Sequence, residues 1–339
     1  MVVFGLPIGR MVDRYPRLFI LKSSAIIGLG GALLCVWAAS GNFPIIAFAV
    51  ATILLGAASS AFNTAERAFL KEIVDPDLLA QAMAVNQGRY SIGVIVGPPL
   101  AGVLISHSNQ APFLVDAASF LWVLACLLFI RHRPVKATNK SLTTPPLRPA
   151  WDWLRSQKQL FAIGWYSPLM NFSFAGITTL SLLSLKYASL SSLSLGFYQA
   201  AIGLAGLCGA IIASKLVAKV PAGNMIITAM ILFSSSLAVT LGNSWFVIVG
   251  MVLSGFFLPI FNAPCSGFFI KSVPHEFQGR CTAILSTSAM IMMPIGNATA
   301  GILFESFGHI PAGVFFIVVL GVSSFFFTQL GDVKAIRLS

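Results

Sequence analysis

The sequence predicts an all-α polytopic membrane protein with ten full transmembrane helices and a short N-terminal stub. Three observations carry this. Of 339 residues, 57% are hydrophobic and only 9% charged, against about 25% charged in a soluble domain, and the mean hydropathy is +0.88. The apolar residues fall into ten runs, each close to the ~20 residues a bilayer-crossing helix needs. Finally, all but Lys186 of the 21 lysines and arginines fall on alternate loops or next to them. That is the positive-inside pattern of a multi-pass protein. The net charge of +11 is therefore topology information, and nucleic acid is not expected as a partner.

The runs lie at 18–39, 43–65, 81–106, 111–131, 160–186, 194–218, 223–241, 244–270, 281–304 and 310–330. They are too long for strands and lack the alternation of an outer-membrane barrel. Helices remain, because lipid offers backbone groups no other partner. Residues 1–9 are apolar but too short to span, and Arg10, Arg14 and Arg17 follow them. A signal peptide carries its charge before the apolar core, so the stretch reads as the end of a helix. The loops opposite the basic face are short and nearly uncharged. The hydrophilic stretch 132–159 contains Pro134, Pro145, Pro146 and Pro149 and reads as a flexible linker. It divides an N-terminal half, 1–131, from a C-terminal half, 160–339. Within it, Trp151, Trp153 and Leu154, mixed with Arg155 and Lys158 and followed by Leu160 and Phe161, predict a short interfacial helix.

The two halves repeat. At an offset of 199, Asp77 meets Glu276, Gly97 meets Gly296, Ala101-Gly102 meets Ala300-Gly301, Leu104 meets Leu303 and Pro112 meets Pro311. The copies run in the same direction, a parallel repeat of the kind found in transporters. The same offset places the counterparts of 160–186 and of the start of 194–218 before residue 1. The expectation is a twelve-helix fold lacking its first helix and part of its second.

The stretch Gly9-Arg10-Met11-Val12-Asp13-Arg14-Tyr15-Pro16-Arg17 resembles the G-x-x-x-D-R-x-G-R loop of the major facilitator superfamily, with Pro16 in place of the usual glycine. Asn63-Thr64-Ala65-Glu66-Arg67, Ile73-Val74-Asp75-Pro76-Asp77, Asn86, Asp116-Ala117-Ala118-Ser119-Phe120 and Val273-Pro274-His275-Glu276-Phe277-Gln278-Gly279-Arg280 resemble the branch that contains the enterobactin exporter and macrolide efflux proteins. Gly93-x-x-x-Gly97-Pro98-Pro99-Leu100-Ala101-Gly102 resembles the superfamily's antiporter motif, with Ala101 replacing a glycine.

The resemblance implies the major facilitator fold and alternating access of two halves around a midplane cavity. It gives Gly9, Asp13, Arg14 and Arg17 a gating role at the cytoplasmic face. A carboxylate at Asp13 suits the helix N-terminus at the start of 281–304, where unpaired N–H groups carry partial positive charge. Arg14 and Arg17 would be tied to nearby acids, or would serve only the positive-inside rule. Gly93, Gly97, Pro98 and Gly102 imply close helix packing with a bend and tilt the direction toward export.

An ionisable group inside a membrane is expensive and marks a pathway by default. Asp116, about five residues into its span, is the carboxylate best placed for proton coupling. Arg89 lies eight residues into its span, roughly 12 Å deep at 1.5 Å per residue. It either snorkels to the near face or attracts an anionic substrate. Glu66 and Glu305 sit at span ends, where water would reach them. Asn63, Asn86, Tyr166, Asn171, Gln199 and Asn262 are polar candidates for substrate contact, each with ordinary interhelical hydrogen bonding as its alternative. Trp165, Tyr198 and Asn297 belong to the same set. The span 43–65 carries no charge, so the fourth-helix arginine found in many proton-coupled members has no equivalent.

Cys35, Cys126, Cys208, Cys265 and Cys281 lie in or beside apolar spans and read as small hydrophobes. The four histidines show no metal-ligand spacing, no Walker sequence is present and no catalytic constellation appears. No cofactor, metal or enzymatic activity is expected. The expectation is a monomeric, multi-pass protein of the bacterial inner membrane with a cytoplasmic C-terminus. It would export an amphipathic small molecule such as a drug, macrolide or siderophore by proton antiport. A metabolite uptake carrier and a non-transporting remnant or scaffold are the alternatives.

Overall fold

The computed structural model describes residues 15–41, 45–130 and 147–330. Among them are eleven α-helices and no strand: α1 (Arg17–Ala38), α2 (Ile45–Ile73), α3 (Leu79–His107), α4 (Ala111–Phe129), α5 (Arg148–Ser156), α6 (Lys158–Tyr187), α7 (Ser192–Leu216), α8 (Ala222–Val239), α9 (Ser244–Ser272), α10 (His275–Phe307) and α11 (His309–Leu330). All except α5 are long and apolar enough to cross a membrane. Two helices depart from the hydropathy runs. α2 continues eight residues past 65, through Glu66, Arg67, Lys71 and Glu72, and α10 starts six residues before 281. Hydropathy marks where lipid ends. A helix continues until something stops it, which for α2 is the turn at Pro76–Leu78 and for α10 is Pro274.

Helix starts follow local chemistry. Pro16, Pro221 and Pro274 each stand immediately before a helix, where a fixed φ is tolerated and the previous element is cut off. The Asn243 side chain accepts from the backbone N–H groups of Trp245 and Phe246 at the start of α9. Ser191 accepts from Ser194 N–H at the start of α7. Gly308, at φ 80°, ends α10 in the left-handed conformation that glycine allows without penalty.

The chain forms two compact units, Met1–Thr143 and Thr144–Ser339. In the first, α1 packs against α2 and α4 around Ile20, Leu21, Ala65, Phe69 and Leu127. In the second, α6 is the central helix, between α10 and α11, while α9 joins α7 to α8. Its core contains Tyr166, Met170, Phe233, Met251, Phe261 and Phe316. Several buried serines are satisfied within their own helices. Ser24 and Ser181 donate to the carbonyl four residues back, and Ser236, Ser254 and Ser323 to the one three back. A hydroxyl satisfied within its own helix makes no demand on lipid.

The interfacial helix is α5. It starts three residues earlier than Trp151 and ends at Ser156, so Leu160 and Phe161 belong to α6. Ala150 and Leu154 are fully buried against Leu160, Val273 and Cys281. Trp153 stacks on Phe277 at 5.7 Å, and Arg280 lies 4.9 Å from the Phe277 ring centroid. The apolar face of α5 is thus covered by the ends of α9 and α10 as well as by α6.

Glycines set the closest helix contacts. A Cβ on Gly296 of α10 would collide with the Phe172 carbonyl of α6, and one on Gly209 of α7 with the Phe256 carbonyl of α9. The reciprocal position, Gly255, would bring a Cβ within 2.8 Å of the Ile202 carbonyl. The repeat counterpart of Gly296 behaves differently. A Cβ on Gly97 of α3 meets nothing within 4 Å among the described residues. Gly296→Ala is therefore expected to cost about 1–3 kcal/mol, as overpacking does, and to lower the thermal midpoint of the purified protein. Gly97→Ala should leave the midpoint unchanged. Equal midpoints for the two variants would refute this packing difference.

Candidate functional site

Two charge clusters gather on α2 in the first unit. Arg17, the first residue of α1, forms an ion pair with Glu72 near the end of α2 at 2.8 Å, both side chains largely shielded from water. The pairing has a clear electrostatic cause. A cation at a helix N-terminus and an anion at a helix C-terminus each oppose the macrodipole of their own helix. Bringing Glu72 to the start of α1 and Arg17 to the end of α2 reverses both penalties. Ile20, Leu21 and Phe69, close by on the same two helices, seat the pair on packed apolar side chains.

The second cluster joins α2 to α3. The turn at Pro76–Leu78 reverses the chain, and Glu66 and Arg89 lie about two to three helical turns on either side of it. Arg89 Nη2 donates to Glu66 Oε1 at 2.8 Å and to Asn86 Oδ1, one turn back on its own helix, also at 2.8 Å. Arg89 is thus tied to Glu66 of α2 as well as to its own helix. The spacing on either side of the turn was the available sequence signal for this partner. Beside the pair lies an open cleft of about 560 Å³ whose apolar wall includes Leu70, Val74 and Val85.

The other expected site residues are dispersed. Gly9, Asp13 and Arg14 lie outside the described residues. Gly93, like Gly97, has open space where a Cβ would be, Pro98 lies inside α3, and Gly102 is buried. Asp116 is half-buried on α4, near Cys35 of α1. One turn on, Phe120 fills the space over Gly28, so this carboxylate sits along the α1–α4 contact. Asn63 and Asn262 are exposed, and Gln199 is half-buried. The Asn171 amide donates to the Ser167 carbonyl of its own helix at 2.9 Å. Tyr166 is buried between Phe261 and Phe327, with ring centroids at 5.3 and 4.8 Å, and its hydroxyl accepts from Ser324 at 3.4 Å. Thr179 donates to Asn297 at 3.1 Å, a bond from α6 to α10. No group of three metal-capable side chains occurs among the described residues.

Ten membrane-length helices in two bundles among the described residues define a polytopic membrane protein. The sequence profile of the Major Facilitator Superfamily matches residues 1–234 and 191–333. The chain belongs to that superfamily of membrane transporters. It is 24% identical over 331 residues to the uncharacterized MFS-type transporter YceJ of Bacillus subtilis (strain 168), covering 95% of this chain and 82% of that protein. It is 24% identical over 307 residues to macrolide efflux protein A of Enterococcus faecalis, covering 87% of this chain and 94% of that protein. Among solved structures, a point mutant of the nucleoside transporter NupG superposes with a TM-score of 0.75 at 14% identity, covering 96% of this chain and 87% of that one. That likeness shows the fold.

The Arg17–Glu72 pair makes a measurable prediction. Arg17→Gln and Glu72→Gln should each lower thermal stability, and a double-mutant cycle should return a favourable coupling of about 1 kcal/mol. Additive effects would show that the two charges act independently.

Proposed function

We propose that this transporter exports an amphipathic small molecule, of the drug, macrolide or siderophore class, in exchange for protons. It works by alternating access from a bacterial inner membrane, with its basic loops and C-terminus in the cytoplasm. The observation that carries this reading is the cleft beside Glu66, Arg89 and Asn86. Its volume falls in the range of small-molecule sites. It offers an apolar wall next to a charged, hydrogen-bonding cluster, the two halves of an amphipathic ligand's needs. For the proton-coupled part of the reading, the half-buried carboxylate of Asp116 on α4 is the candidate. The Gly93-x-x-x-Gly97-Pro98 motif and the similarity to macrolide efflux protein A support the outward direction.

The test is accumulation of fluorescent dyes and macrolides in an efflux-deficient bacterial host, with and without an uncoupler. Expression of the full chain should lower accumulation, and the uncoupler should abolish the difference. Glu66→Gln and Arg89→Gln should each reduce export several-fold at unchanged membrane abundance, and the double variant should be no worse than either single one. Raised accumulation on expression, or export indifferent to the uncoupler, would overturn the proposal.

A further inference from the structure

A second cavity lies in the C-terminal unit, away from the charged cluster. It is a groove of about 450 Å³ between α6 and α11, lined by Trp165, Leu169, Val322 and Phe326 over a floor of Tyr166 and Phe327. Trp165, Val322 and Phe326 are more than half exposed. On helices that cross a membrane, such side chains face either lipid or a ligand. The floor is closed, because Tyr166 and Phe327 are almost completely buried.

The groove has a charged mouth. Lys158, Ala162, Trp165 and Leu169 follow one another at spacings of four, three and four, so they form one stripe along α6. Lys158 begins the helix, is exposed and carries no ion pair among the described residues. Its Cα lies about 10 Å along the axis from that of Trp165, at 1.5 Å per residue. Aromatic rings mark the way in. Trp151 of α5 meets Phe161 at 6.2 Å, and Phe161 meets Trp165 at 6.1 Å. Arg148 and Arg155 on α5 add positive charge at the same end, against the single carboxylate of Asp152. An apolar slot along the membrane normal, with cations and aromatic rings at its mouth, is complementary to an anionic headgroup with an acyl chain beneath it.

We propose that this groove is a binding site for an anionic phospholipid of the surrounding leaflet. Its acyl chain lies along Trp165, Leu169, Val322 and Phe326, and its phosphate rests on Lys158. The site does not depend on which molecule is transported or in which direction. It makes this bundle sensitive to lipid charge at one place.

The experiment uses the full chain in vesicles of one quarter phosphatidylglycerol and three quarters phosphatidylcholine. A photoreactive, diazirine-bearing acyl chain is carried on one lipid or the other, and labelled residues are mapped by mass spectrometry. The phosphatidylglycerol probe should label the segments around Trp165–Leu169 and Val322–Phe326 several-fold more than the phosphatidylcholine probe. Lys158→Gln should remove that preference, and Lys158→Arg should keep it. Val322→Trp, at an exposed position on the groove wall, should block labelling there by both probes. Equal labelling by the two probes in the native chain, or labelling spread evenly over the exposed face of α11, would overturn the proposal. So would a preference that survives Lys158→Gln.

Discussion

Close approach of helix backbones is the constraint on which the C-terminal unit depends. Between helices in lipid the hydrophobic effect contributes little, because a lipid tail is as apolar as a leucine. Association then rests on van der Waals contact, and contact is richest where no side chain stands between two backbones. Gly296 against Phe172 brings α10 onto α6, and Gly209 with Gly255 does the same for α7 and α9. Once those distances are set, larger side chains fill what remains. Phe316 and Phe233 are fully buried, and Tyr166 packs between Phe261 and Phe327. The hydrogen bond from Thr179 to Asn297 then fixes the register of a contact the glycine already made possible.

The N-terminal unit shows a different balance. Gly93 and Gly97 of its α3 meet open space among the described residues, and its apolar core is smaller. Electrostatics takes a larger part. Glu66 and Glu72 are six residues apart on α2, which places them about 120° apart around the helix at 3.6 residues per turn. One carboxylate therefore reaches α3 and the other α1, and α2 is held on two sides near the same end. Both pairs lie where α2 runs beyond its apolar stretch. Helix extension past the apolar run and ion pairing are thus one feature, since a helix that stopped at residue 65 would hold neither acid in place.

These differences mark what could be read in advance. Span number and order were legible because lipid admits one backbone solution, so apolar length alone reveals it. The extra turns of α2 and the early start of α10 were hidden, because their charged and polar residues fall outside the apolar runs that hydropathy detects. Arg89 was recognisable as an intramembrane charge, but its partner was not. Glu66 lies far away in sequence, and finding it requires knowing that the Pro76 turn folds α3 back beside α2. Tyr166, polar in an apolar run, was a candidate for substrate contact with interhelical hydrogen bonding as its alternative. In the folded unit its hydroxyl meets Ser324, and its ring belongs to the core. The helix at 148–156 was visible from its mixed Trp, Leu and Arg content, yet its docking on Val273 and Cys281 depends on residues more than a hundred positions away.

The internal repeat sharpens this contrast. Gly97 and Gly296 occupy the same place in the 199-residue offset, as do Ala101-Gly102 and Ala300-Gly301. Equal sequence does not produce equal packing, because a glycine creates a contact only when another backbone is present to approach it. For Gly296 that backbone is α6, whereas for Gly97 nothing comes within 4 Å of the Cβ position among the described residues. The glycine motif of α3 is therefore better understood as a capacity for close approach than as a site in itself. Its meaning is set by the helix that meets it. The charged cluster on the same helix is already complete, with Arg89, Asn86 and Glu66 all in hydrogen-bond contact. Within α3 the charged end is therefore held by partners already present, whereas Gly93 and Gly97 meet none among the described residues.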